Sequence, residues 1–257
     1  MRHQLTNLIA GISLVAACAG CGSGPVGDAI NAKKLPSSAD PCAGIRGCDE
    51  VAVADVDGDG TPDRIGISVV IQPPPPKVAF GQATITASIS TAGGLKRIDI
   101  SSDGILRGIE GKPDDHAKPY VGAYRISRTK GADLVIETSI NQGSYARYAV
   151  IGWSGDRPAL VSPPEALTSK VHPNQWILGS SEGSRHWVSC ADGAAITATL
   201  LHEGYGNAPG AALKEVDRFV FHDGDWMPNG SDNLPDNTDD WLTKKTPDFD
   251  CPDQAGT

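Results

Sequence analysis

The sequence predicts an all-β fold of antiparallel sheets, arranged as propeller blades or, alternatively, as a β-sandwich. Three observations predict it. Apolar and polar residues alternate with period two, most strictly over 83–90 (ATITASIS), as in a strand that buries one face. Strand-like runs recur with turn signals between them roughly every 8–12 residues. The 257 residues include 30 glycines and 19 prolines, close to one in five, a load that excludes long helices and coiled coils.

Charge and composition narrow the function classes. The chain carries 22 basic and 31 acidic side chains, a formal net charge of −9. A nucleic-acid binder needs a basic footprint, so nucleic acid is excluded as a partner. Beyond the N-terminus no apolar run is long enough to span a bilayer.

Residues 1–17 read as a signal peptide: Arg2 supplies a positive start, and a short apolar stretch from Leu5 to Ala17 follows. Val15-Ala16-Ala17-Cys18 resembles the bacterial lipobox, which implies lipidation of Cys18 as the mature N-terminus, with Cys21 as the alternative. That resemblance implies a cell-membrane location, lipid-anchored and facing outside the cytoplasm. Residues 18–41 are small and polar with scattered prolines, the composition of a flexible tether. An exported protein meets an oxidising compartment. The four cysteines Cys42, Cys48, Cys190 and Cys251 allow three connectivities. The short Gly-containing loop between Cys42 and Cys48 favours that pair, which leaves Cys190 with Cys251.

The sharpest signal lies in residues 51–70 (VAVADVDGDGTPDRIGISVV). Asp55, Asp57, Asp59 and Asp63 fall at loop positions 1, 3, 5 and 9, with Gly60 at 6 and the Thr61 carbonyl at 7. Calcium takes roughly six to eight oxygen ligands, and alternating aspartates on a tight loop converge their oxygens on one point. An EF-hand is disfavoured: position 12 is Gly66 instead of Glu, and the β-branched, alternating flanks are strands, not helices. The segment resembles the FG-GAP (VCBS-type) repeat, which implies a calcium loop between two strands of a propeller blade, one structural Ca²⁺, and ligands Asp55, Asp57, Asp59, Thr61 and Asp63. A shift of 70 residues places Asp63 on Asp133, Val56 on Ile126 and Ile65 on Val135, but Asp55, Asp57 and Asp59 on Arg125, Ser127 and Thr129. Two readings stand: a repeat that keeps the strands and has lost the ion, or two similar strand–turn–strand pieces.

The remaining elements read as a meander. Residues 95–100 follow 83–90 across a Gly-Gly turn, and 145–153 pair with 158–161 across Ser154-Gly155-Asp156. Runs 185–190 and 194–201 flank Asp192-Gly193, and 217–221 and Trp226 flank Asp223-Gly224. Both Asp-Gly pairs suit type I′ turns. Short helices are expected near 164–169 and 209–214. Prolines 73–76 interrupt the first sheet region as an exposed loop. Residues 42–228 form the ectodomain, and 229–257 an irregular acidic tail held by Cys251, with Trp241 and Phe249 available to pack it back.

Motifs for catalysis are broken. His202-Glu203 is followed by Gly206 where HExxH needs His, and Gly152-Trp153-Ser154-Gly155 ends in Asp156 where GxSxG needs Gly. No catalytic residue is assigned. The expectation is a calcium-stabilised, non-catalytic binding or structural module of the cell envelope, with an envelope protein or glycan as partner. An aromatic-rimmed face around Trp153, Trp176, Trp187 or Trp226 would serve binding. The alternative is an exported hydrolase with a dispersed active site.

Overall fold

Two four-stranded meanders open the fold. The first sheet is β1 (Cys48–Ala54), β2 (Asp63–Gln72), β3 (Gln82–Thr91) and β4 (Gly94–Asp103), antiparallel and in chain order. The second begins with β5 (Tyr120–Tyr124), β6 (Asp133–Ile140), β7 (Ala146–Ser154) and β8 (Arg157–Val161). In this computed structural model the described residues are 39–72, 82–103, 119–127, 130–140, 145–168, 170–181, 184–191, 195–203, 212–236 and 247–255. All lie in the unit Lys34–Thr257. The signal peptide, Cys18, Cys21, nearly all of the tether, prolines 73–76, the Asp192-Gly193 turn and Trp241 lie outside the described residues.

The second sheet continues through β9 (Trp176–Ser181), β10 (Ser184–Ala191), β11 (Ala195–Glu203), β12 (Ala212–His222) and β13 (Asp225–Asp236). Its order is β13-β12-β11-β10-β9-β7-β6-β5, with β8 pairing the late half of β7 and β9 the early half. Strands β9 to β13 thus extend one sheet, and do not divide into separate blades. The architecture is all-β and antiparallel without a closed barrel, and the β-sandwich describes it.

The 70-residue shift is a structural repeat. In β1/β2, Ala54 pairs Asp63 and the register slips between Glu50 and Ala52. In β5/β6, Tyr124 pairs Asp133 and the register slips between Tyr120 and Gly122. Pairing and bulge recur at the same offset, so the chain makes the same strand–loop–strand unit twice.

Alternation decides the layers. Ile65 and Ile67 of β2, Ile85 and Ile89 of β3, and Ile100 of β4 face Leu134 and Ile136 of β6 and Ala149, Ile151 and Trp153 of β7 in one core. The intervening residues Val135, Tyr148 and Val150 point into a second core with Trp176, Val188, Ile196, Phe219, Trp226 and Phe249. Eight of the nine residues of β7 are therefore buried. Each large apolar side chain removed from water contributes about 1.5–3 kcal/mol.

Part of the outer face of the first sheet is also covered, around Gly66, Ser88 and Ser90, while Val70, Arg97 and Asp99 stay exposed. Residues 83–90 were expected to expose their Thr/Ser face, yet Ser88 and Ser90 are buried. The cause is the loop closed by the Cys42–Cys48 disulfide. It lies on Gly66, where a Cβ would meet Cys48 Sγ at 2.8 Å and Cys42 Sγ at 2.9 Å, and Gly66 pairs Ser88. Arg97 donates to the Ala43 carbonyl at 2.7 Å and Arg64 to that of Ala39 at 3.2 Å.

At the other end Cys190 is bonded to Cys251. Residues 249–250 form a short strand, β14 (Phe249–Asp250), parallel to β10, and Phe249 is buried against Tyr148 and Trp176. Gln254 donates to the Ala123 carbonyl at 2.7 Å, so the C-terminal segment covers the exposed edge of β5.

Three expectations change. Residues 229–236 are strand, because β13 runs on to Asp236 along β12; Pro235 is tolerated there because β13 is an edge. Residues 212–214 open β12, because pairing with β11 overrides local helix preference. The expected short helix at 164–169 is a single 3₁₀ turn, Glu165–Leu167. The Asp223-Gly224 turn is as expected: both residues take positive φ, 51° and 90°.

Gly66→Ala is expected to destabilise the protein by about 1–3 kcal/mol through overpacking under the disulfide. The loss should shrink in a Cys42→Ser/Cys48→Ser background, where the loop can yield. Urea unfolding of the four proteins reads both values.

Candidate metal centre

The loop between β1 and β2 owes its shape to aspartates bonding their own backbone. Asp55 accepts from the amides of Gly58 (2.8 Å) and Gly60 (2.9 Å), Asp57 from that of Asp59 (3.1 Å), and Asp59 from that of Thr61 (2.5 Å). Such side chain to backbone bonds are the mechanism of Asx turns. Gly58 and Gly60 take positive φ, 73° and 79°, the left-handed conformation that lacks a penalty only for glycine.

Asp63, the first residue of β2, is wholly buried at 0% exposure. Its Oδ2 accepts from Val56 N at 2.9 Å and Asp57 N at 3.3 Å. Its Oδ1 is buried and has no hydrogen-bond partner. Carboxylate oxygens of Asp55, Asp57 and Asp63 lie within 4.8 Å of one another. Thus three of the four expected carboxylate ligands come together. Asp59 is exposed and outside this group, and Thr61 stands beside it with its amide on Asp59.

Three acids this close, one of them buried, raise one another's proton affinity. Burial pushes the Asp63 carboxyl up to about 7, helped by the charges of Asp57 and Asp55 and opposed by the amides of Val56 and Asp57. Burial also raises Asp57, with Asp59 and Asp55 adding to the shift and the Asp59 amide and Lys130 opposing it.

The second loop is an internal control. Asp133 Oδ2 accepts from Ile126 N (2.9 Å) and Ser127 N (2.6 Å), matching Asp63 bond for bond. Here, however, Oδ1 accepts from the Ser127 hydroxyl at 2.7 Å. Ser127 occupies the place of Asp57. The second loop therefore satisfies with a hydroxyl the same oxygen that the first loop leaves bare. A buried acceptor without a partner costs about 1–3 kcal/mol, and a cation is the natural partner for one lined by two further carboxylates.

The two loops touch. Ala132 N donates to the Asp55 carbonyl at 2.8 Å. A Cβ on Gly131 would run into that carbonyl oxygen, and one on Gly58 would meet Lys130 C at 2.7 Å. Sequence reading passed over Lys130 and Gly131. The 70-residue shift was the available signal, since it sets them on Gly60 and Thr61. These four tryptophans do not make an open aromatic face: Trp153, Trp176 and Trp226 are buried, and Trp187 is half-buried. Both indole N–H groups of Trp176 and Trp226 are spent on carbonyls, of Val161 (2.9 Å) and Ser162 (2.8 Å). No family model matches the chain, and no curated protein or solved structure matches it either.

The raised Asp63 fixes a sign. With chelator present, the folded protein keeps this proton to about pH 7, while the unfolded chain releases it near 3.8. Between those values the folded state binds more protons, so stability falls as pH rises. Asp63→Asn should flatten this decline, measured by urea unfolding in chelator from pH 4 to 7.

Proposed function

We propose that this protein is a lipid-anchored cell-envelope protein whose all-β ectodomain holds one structural Ca²⁺ and acts as a non-catalytic binding or structural module. The observation that carries the metal reading is the bare, buried Asp63 Oδ1 beside Asp55 and Asp57, set against its satisfied counterpart on Asp133. Asp55, Asp57 and Asp63 would hold the ion, and the loop spacing adds Asp59 and the Thr61 carbonyl. Oxygen-only donors favour a hard cation, and calcium, unlike magnesium, accepts an irregular set of such ligands. A bound dication supplies charge neutralisation: it lowers the proton affinity of Asp63 and joins side chains that otherwise repel.

The reason for an ion here is mechanical. The acidic loop forms the backbone junction to the second repeat through Asp55 and Ala132, so fixing the loop fixes where the two sheets meet. The repeated register of β1/β2 and β5/β6 supports the resemblance to FG-GAP-type blade units. The lipobox-like Val15-Ala16-Ala17-Cys18 supports an anchor at Cys18, with Cys21 as the alternative. Acyl chains contribute about 0.8 kcal/mol per buried methylene, so more than one chain is needed for stable anchoring. The disulfides Cys42–Cys48 and Cys190–Cys251 accord with an oxidising compartment outside the cytoplasm. The partner on this reading is an envelope protein or glycan.

Calcium should stabilise the fold with the logarithm of ligand excess, by about 2.7 kcal/mol at a hundredfold excess over Kd, and raise the melting temperature accordingly. Asp57→Ala with Asp59→Ala should abolish that rise. Asp133→Asn should lower stability equally with calcium and with chelator. A wild type indifferent to calcium and chelator alike would sink the metal assignment. Mass spectrometry of the mature chain should find acylated Cys18; an unmodified N-terminus at another residue would remove the anchor.

A further inference from the structure

A second feature stands apart from the acidic ligands. The turn of the β7–β8 hairpin and the turn of the β12–β13 hairpin enclose a cleft with a cavity volume of about 500 Å³. That falls within the range of pockets that hold small organic molecules. Trp153 contributes to it from β7, which is clamped between the two cores, so this part of the wall is rigid. Leu160 of β8, which also lines it, keeps 39% of its surface exposed, and Phe221 of β12 is half-buried. An apolar wall left open in this way calls for an apolar ligand body.

The charges at the cleft differ in how they are held. Lys130 Nζ donates to the Gly155 carbonyl at 2.6 Å. This bond uses one of the ammonium's three N–H donors and anchors the cation at the wall. Asp223, on the β12–β13 turn, has a side chain 87% exposed, 3.2 Å from His222 Nε2, where water screens its charge. Lys130 is exposed as well, but its ammonium is held at the wall by a backbone carbonyl, so the positive charge is the one fixed in place. We propose that this cleft binds a small amphipathic organic anion, with its anionic group on Lys130 and its apolar body against Leu160 and Phe221. This cleft does not need the calcium ion, though Lys130 also lies against the acidic loop and its charge acts on Asp57.

The test uses octanoate, octanol and octylammonium as probes, in buffer stripped of divalent ions, with amide ¹H–¹⁵N shifts as the readout. Octanoate should shift residues 152–162 and 221–224 and bind about fivefold more tightly than either of the other probes, the scale of a partly exposed ion pair. Lys130→Met keeps the aliphatic stem against the first loop and should erase the margin of octanoate over octanol. Leu160→Ser should weaken both. Three results each overturn the proposal: no shifts in these residues at millimolar octanoate, equal affinity for the three probes, or an undiminished octanoate margin in Lys130→Met.

Discussion

A buried carboxylate that accepts two consecutive backbone amides closes each of the two β-loops on which this fold turns. Asp63 takes the amides of Val56 and Asp57, and Asp133 those of Ile126 and Ser127. Taking a carboxylate out of water is costly unless hydrogen bonds replace the lost solvation. Two fixed N–H donors replace part of it in each loop, and the Ser127 hydroxyl adds a third bond in the second loop alone. The register of the strands follows, including the bulge that recurs 70 residues later. So does the meeting of the loops, where Ala132 donates to Asp55 across the repeat boundary.

Around that junction the chain solves one problem repeatedly: a sheet exposes faces and edges that need covering. The second sheet buries both faces at β7, one against the first sheet and one against its own extension. The Cys42–Cys48 loop covers part of the first sheet's outer face, at Gly66, and the C-terminal segment behind Cys190–Cys251 covers the β5 edge. Both disulfides thus hold short segments with little core of their own onto sheet surfaces. The acidic composition divides in the same way. Six acids lie between Asp49 and Asp63, around the first loop, and seven between Asp232 and Asp253, so the charge is no uniform coat.

Much of this was legible in the residues. Strict alternation in 83–90 placed Ala83, Ile85, Ala87 and Ile89 on one face, and all four are core. The Asp spacing and Gly60 identified a loop between strands, and the cysteine order identified both bridges. The misreadings have a shared origin. Ser88 and Ser90 look like solvent-facing residues until a loop from Pro41 onward covers them. Residues 229–236 look irregular until β12 offers them a ladder, and 212–214 look helical until β11 does.

Periodicity, turn chemistry and loop spacing are local, and the sequence by itself determined them: the β class, the two-residue Asp223-Gly224 turn, the acidic loop and the cysteine pairs. Tertiary structure alone decided which faces are covered, which carboxylates converge, and that Lys130 belongs to the first loop's surroundings as well as to a cleft. The physical reason is range. Arg97 meets Ala43 across 54 positions and Ala123 meets Asp253 across 130. The partner of the buried oxygen is the exception, a local choice: Ser127, six residues before Asp133, gives the second loop its hydroxyl, where the first loop carries Asp57.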